Sequence, residues 1–130
     1  MIALAIALGV TFATPARAGS YLDRATLLMA GSEKDLGMVR EHITDKELAT
    51  MVELVADARL KAASKMEIPA VVAKAHPHLL LVLEHTERAA DAAREGNLRT
   101  ALEHLDDAER EDRMFRELLT ELGFTLPSSK

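Results

Sequence analysis

The sequence predicts an all-α protein, an antiparallel up-and-down four-helix bundle. Three observations carry that reading. Ala, Leu, Glu, Arg and Lys dominate the chain after its first eighteen residues, which is the composition of helices. Apolar residues return at alternating three- and four-residue steps, the period of a helix face and not of a strand. Gly and Pro fall mostly at the joints between these stretches, where they interrupt helices. No run of alternating β-branched residues is long enough to make a strand.

The first element is a leader. Ile2 to Val10 is an unbroken apolar run, Pro15 breaks it, and Ala16-Arg17-Ala18 has the small-x-small pattern that a signal peptidase accepts. No Lys or Arg stands before Ile2, a departure from the usual basic start of such signals. The apolar stretch from Ile2 to Ala13 is well short of the roughly 20 residues that span a bilayer. No cysteine follows Ala18 to carry a lipoprotein's lipid. The reading is a signal peptide over 1–18, cleavage before Gly19, and a secreted or periplasmic product with no membrane span left. One helical domain over 19–126 and a frayed tail over 127–130 complete the organisation.

The first helix is expected to start at Ser20, a good N-cap, with Asp23 favouring its free amides. Leu22, Ala25, Met29, Ser32, Leu36, Val39 and Ile43 line one face. Gly31 and Gly37 lie off that seam, each weakening the helix by about 1 kcal/mol relative to Ala, which allows a break near Gly31. Thr44-Asp45-Lys46-Glu47 reads as a capping box that opens the second helix. Its seam is Leu48, Met51 or Val52, Val55, Ala58, Ala62 and Met66, and Ile68-Pro69 ends it.

Val71, Val72 and Ala75 continue a helical pattern from Pro69, but Pro77 lacks an N–H and forces a kink or a restart of the third helix. That helix runs through Leu79, Val82, Leu83, Thr86, Ala89, Ala90 and Ala93 to a turn at Gly96-Asn97. The fourth has Leu98, Ala101, Leu105, Ala108, Asp112, Phe115, Leu119 and Leu122 on its seam. Gly123 then closes it, with Phe124 folding back onto Leu119. Short joints between amphipathic segments make sequential helices neighbours, hence the bundle. Gly96-Asn97-Leu98 with Ala101, Leu105 and Ala108 resembles the turn and second helix of a tetratricopeptide repeat, over about half of one repeat. No second copy recurs at that family's period and the second helix departs from its pattern, so the stretch reads as an αα-hairpin.

Composition narrows the chemistry. A formal charge of −5 and mixed surface signs argue against a nucleic-acid partner, which wants a basic face. With no cysteine there are no disulfides, no thiol chemistry, no cysteine-ligated metal and no covalent haem. Aromatics are 3% and Trp is absent, too thin for a sugar- or base-stacking surface.

His76-Pro77-His78 is the most site-like motif, because neutral imidazoles at a helix start suit divalent transition metals. His85 shares a face with His78, but about 10.5 Å along the axis separates them, too far for one ion. A mononuclear metal site therefore takes His76, His78 and a carboxylate from another helix. Glu111 and Asp112 fall opposite in a hairpin turning at Gly96-Asn97. Asp112, a carboxylate on an apolar seam, is the ligand candidate, with Arg59, Lys65 or His78 as its other possible partners. No acidic residue lies three before any histidine, so the Glu-x-x-His pairs of di-iron bundles are absent, as is HExxH. Non-covalent haem between Met38 and His104 is a further alternative. The charged run Asp106 to Arg113 reads as a solvated face, and the methionines as core fillers. No catalytic set emerges. The expected function is a non-enzymatic module that binds another envelope protein or a small ligand, with a metal- or haem-binding bundle as the alternative.

Overall fold

The computed structural model describes residues 15–126. Met1 to Thr14, most of the leader pattern, lies outside them, and so does the tail 127–130. Four helices pack against one another: α1 (Pro15–Glu41), α2 (Lys46–Ser64), α3 (His76–Arg94) and α4 (Leu98–Glu121). A 3-10 turn, Ala70–Val72, lies between α2 and α3. No strand occurs among the described residues. α3 sits centrally, against α1, α2 and α4.

Side-chain contacts give the directions. Along α3, His78 meets Glu111 and His85 meets His104, so α4 descends as α3 rises. Tyr21 meets His76 and Ser32 meets Thr86, so α1 rises with α3. Arg40 reaches Asp106 and Glu109 while Glu33 reaches Arg116, so α1 and α4 run oppositely.

Local signals account for the ends, with corrections. α1 begins at Pro15, not Ser20, which lies inside the helix. It also passes unbroken through Gly31 and Gly37, because packing on α2 and α3 outweighs two unfavourable residues. The cap of α2 is Asp45, not Thr44: its Oδ1 accepts from the Leu48 N–H at 3.0 Å. Where Val71 to Ala75 suggest a continuing helix there is only the 3-10 turn, and α3 starts at His76 with Pro77 in its first turn. Asn97 caps α4 through the Thr100 N–H at 3.2 Å. Gly96 and Gly123 adopt φ of +79° and +87° and close α3 and α4 in the same way. In each the residue after the glycine donates back, Asn97 N to Ala92 O and Phe124 N to Leu119 O, both at 2.8 Å.

The core has two parts. One is built from large side chains, with Tyr21, Met29, Leu79, Leu83, Phe115 and Leu119 buried together. The other is rich in alanine: Ala89, Ala90, Ala93, Ala101 and Ala108 surround Leu36, Val39, Val52 and Leu105. Small residues there let α3 and α4 approach closely, which explains the hairpin's small-residue pattern. Of the expected α1 face, Ala25, Met29, Ser32, Leu36 and Val39 are buried and Leu22 half-buried, with Ala18, Tyr21 and Asp35 buried besides. α2 is rotated from expectation. Ala49, Val52, Ala56 and Ala63 point inward, while Met51, Val55, Ala58 and Ala62 are exposed. The alanine stripe wins because it permits the closer approach to α3.

A polar layer lies between the two parts. Thr86 Oγ1 donates to the Val82 carbonyl at 2.7 Å, so its single proton is used and Ser32 donates to Thr86 at 2.7 Å. Beside them Arg59 of α2 crosses α1 and pairs with the buried Asp35 carboxylate. Gly31 makes the crossing possible: a Cβ there would lie 2.6 Å from the Arg59 Cζ.

Candidate metal centre

The α3–α4 hairpin brings two histidines together at the middle of its polar edge. His85 Nδ1 lies 3.0 Å from His104 Nδ1, with ring centroids 5.3 Å apart and tilted by 33°. Asp107, one turn beyond His104 on α4, completes the set. One ligand atom from each of the three falls within 4.8 Å of the other two, and all three residues are half-buried.

The local cause is the register of the hairpin. The turn at Gly96-Asn97 sets His78 opposite Glu111, 2.5 Å away, and seven residues further along α3 the same alignment sets His85 opposite His104. Asp107 follows because residues three apart on a helix share a face.

The electrostatics favour a neutral imidazole at His85. Burial pushes His85 below the usual imidazole range, against the opposing pull of the Asp107 carboxylate, while His104 adds a smaller push downward. In the Nδ1–Nδ1 hydrogen bond one ring donates and the other accepts, so the two rings hold different tautomers. Moving the donor's proton to Nε2 turns both Nδ1 lone pairs inward without changing net charge. Two nitrogens bound to one tetrahedral ion at about 2.0–2.1 Å stand roughly 3.3 Å apart. The observed 3.0 Å separation is within a few tenths of an ångström of that spacing, and each ring must also turn so that its Nδ1 lone pair leaves the N–N line and points at the ion.

The residues singled out by sequence go elsewhere. His76 is buried and hydrogen-bonded through Nδ1 to the Tyr21 hydroxyl at 2.9 Å. Burial lowers its pKa, partly offset by a hydrogen bond with the Ala63 backbone. Burial likewise raises the Tyr21 phenol above its usual range. His78 takes Glu111 as its partner. Asp112 pairs with Arg116 at 2.7 Å, and Arg116 also holds Glu33 of α1 at 2.6 Å. Arg59, Lys65 and His78, the partners expected for Asp112, are not in that group. Burial raises the Asp112 pKa and Arg116 opposes it. The structure thus does not gather His76, His78 and Asp112 into one set. Met38, the haem-ligand candidate, packs against the alanine-rich core, and His104 faces His85.

Sequence reasoning meets all three residues of the centre without joining them. Beyond the search for Glu-x-x-His pairs, it weighs His85 against His78 on its own helix, His104 against Met38, and Asp107 as part of a solvated face. The signal that joins them is present in the chain: the alignment placing Glu111 opposite the His76–His78 region also places His104 opposite His85.

No protein-family model, curated protein or solved structure matches the chain. Among the described residues, no helix is long and apolar enough to cross a membrane.

Proposed function

We propose that this protein is an exported, non-enzymatic helical bundle that binds a divalent transition-metal ion through His85, His104 and Asp107. One observation carries the reading: two Nδ1 atoms from different helices stand at nearly the spacing two ligands of one ion require, with a carboxylate beside them. Two imidazoles and a carboxylate suit Zn²⁺, Ni²⁺ or Cu²⁺. Half-burial leaves a fourth position for water or for a group on a receiving protein, as an ion that is carried or sensed requires. Export is read from the leader pattern of Met1 to Ala18.

Calorimetric titration of chelator-stripped protein with Zn²⁺, Ni²⁺ and Cu²⁺ tests the metal reading. The expected result is one saturable equivalent, lost in His85→Ala and in His104→Ala, weakened in Asp107→Asn and retained in His76→Ala/His78→Ala. Absence of saturable binding, or its survival in His85→Ala/His104→Ala, overturns it. Mass spectrometry of the protein recovered from its native cells tests export. An N-terminus at Gly19 is expected, and retention of Met1 to Ala18 refutes it.

A further inference from the structure

Helix α2 carries apolar side chains on two faces, and the larger ones stand outside. Leu54 is 68% exposed, Met51 65% and Val55 43%, while the inner face is mostly alanine. Leu48, Met51, Val55, Ala58 and Ala62 recur at heptad spacing; the last four are exposed, while Leu48 is half-buried against the alanine-rich core. Towards its C-terminal end the stripe runs into a groove of about 330 Å³, lined by Leu27, Leu28, Ala62 and Met66 and edged by the cations Arg24 and Lys65. A single exposed leucine means nothing, but a contiguous stripe with a 3.5-residue period is the surface of a helix that packs on another helix.

We propose that this face is a homodimer interface in which two α2 helices pack antiparallel about a two-fold axis at Leu54. The charges choose the partner and the direction. Glu47 and Lys61 lie one heptad to either side of Leu54, and both are exposed. Antiparallel pairing sets each Glu47 against the Lys61 of the second copy, and symmetry makes the contact twice. Lys61 now holds Asp57 on its own helix at 2.7 Å in open solvent, a contact that competes weakly. Parallel pairing would forgo the Glu47–Lys61 contact and align the two helix dipoles unfavourably. A second copy supplies the complementary pattern by construction, basic end against acidic end. The stripe from Leu48 to Ala62 is about 21 Å long. With the Leu27–Met66 groove it makes a short contact, so the dimer is reversible.

Sedimentation velocity of the full chain over a concentration series, in chelator, tests this independently of any metal. A monomer–dimer equilibrium is expected. Leu54→Glu places two like charges on the axis and leaves only monomer, with an unchanged circular dichroism spectrum because the position is exposed. Glu47→Lys and Lys61→Glu each weaken the dimer roughly tenfold, since two symmetric contacts turn repulsive. The double swap restores it. A wild-type chain that stays monomeric throughout, a dimer that survives Leu54→Glu, or a double swap without recovery overturns the proposal.

Discussion

Replacing Gly31 by Ala in α1 should destabilise the protein, although the same change in most helix interiors stabilises. Intrinsic propensity favours Ala by about 1 kcal/mol. Against this, the new Cβ would stand 2.6 Å from the Arg59 Cζ and 2.7 Å from its Nε, so the guanidinium must leave its place. The Asp35 carboxylate behind it is only 4% exposed and takes Arg59 as its ion-pair partner. Breaking such a pair outright costs about 3–5 kcal/mol. Arg59 is long and a quarter exposed, so it keeps part of the contact by swinging outward. About half the loss, set against the propensity gain, leaves a net destabilisation of about 0.5–1.5 kcal/mol. Urea unfolding followed by far-ultraviolet circular dichroism measures it directly. The decisive arm is an Arg59→Ala background, where nothing occupies the space above Gly31. There Gly31→Ala should stabilise by about 1 kcal/mol. A Gly31→Ala effect of the same sign and size in both backgrounds would show that Arg59 does not depend on the missing Cβ, and the reasoning would fail.

Three other effects are expected. Thr86→Val removes the acceptor of the buried Ser32 hydroxyl and should cost about 1–3 kcal/mol, whereas Ser32→Ala/Thr86→Val should recover part of it; equal losses in single and double variants in chemical denaturation would refute this. His76 has its folded pKa below the unfolded value because burial disfavours its cation, so the unfolded chain gains its proton first on acidification. Its contribution is intact above about pH 6.5 and is lost as pH falls through the folded pKa, with a slope of at most about 1.4 kcal/mol per pH unit. His76→Gln should flatten the decline in melting temperature between about pH 7 and pH 5, and an unchanged slope would exclude the residue. Gly123→Ala, at φ +87°, should cost about 1 kcal/mol in thermal unfolding, and no loss would mean the α4 ending rearranges freely.

Much of the bundle is legible in the sequence because its strongest signals are local. The α1 face from Ala25 to Val39 shows as a 3–4 step of apolar residues, and Gly96, Asn97, Gly123 and Phe124 mark ends whose hydrogen bonds are made within a few residues. The misreadings occur where size, not polarity, decides. On α2 a hydropathy rule offers Met51 or Val52, then Val55, for the interior; Val52 is buried, but Met51 and Val55 are not, because close packing on α3 selects Ala49, Ala56 and Ala63. Asp45 replaces Thr44 as cap, a choice between adjacent residues that both suit the position. The His85–His104 pair is harder, because its partners share no local motif. It becomes visible only when the hairpin is folded on paper and the alignment is followed past the first histidines. The Arg59–Asp35 pair is out of reach, since it depends on an absent Cβ on a neighbouring helix.

The buried hydroxyl pair also limits how the helices can slide. Alanine-lined surfaces are smooth, and an axial slip by one turn, about 5.4 Å, would trade one methyl for another at little expense. Ser32 and Thr86 act as a notch: a slipped alignment loses the hydroxyl–hydroxyl bond between α1 and α3 and sets each hydroxyl against apolar neighbours. His85, the neighbour of Thr86 in the chain, therefore inherits its height from a contact it never touches. A chain lacking the notch would keep its helices yet blur the position of everything mounted on them.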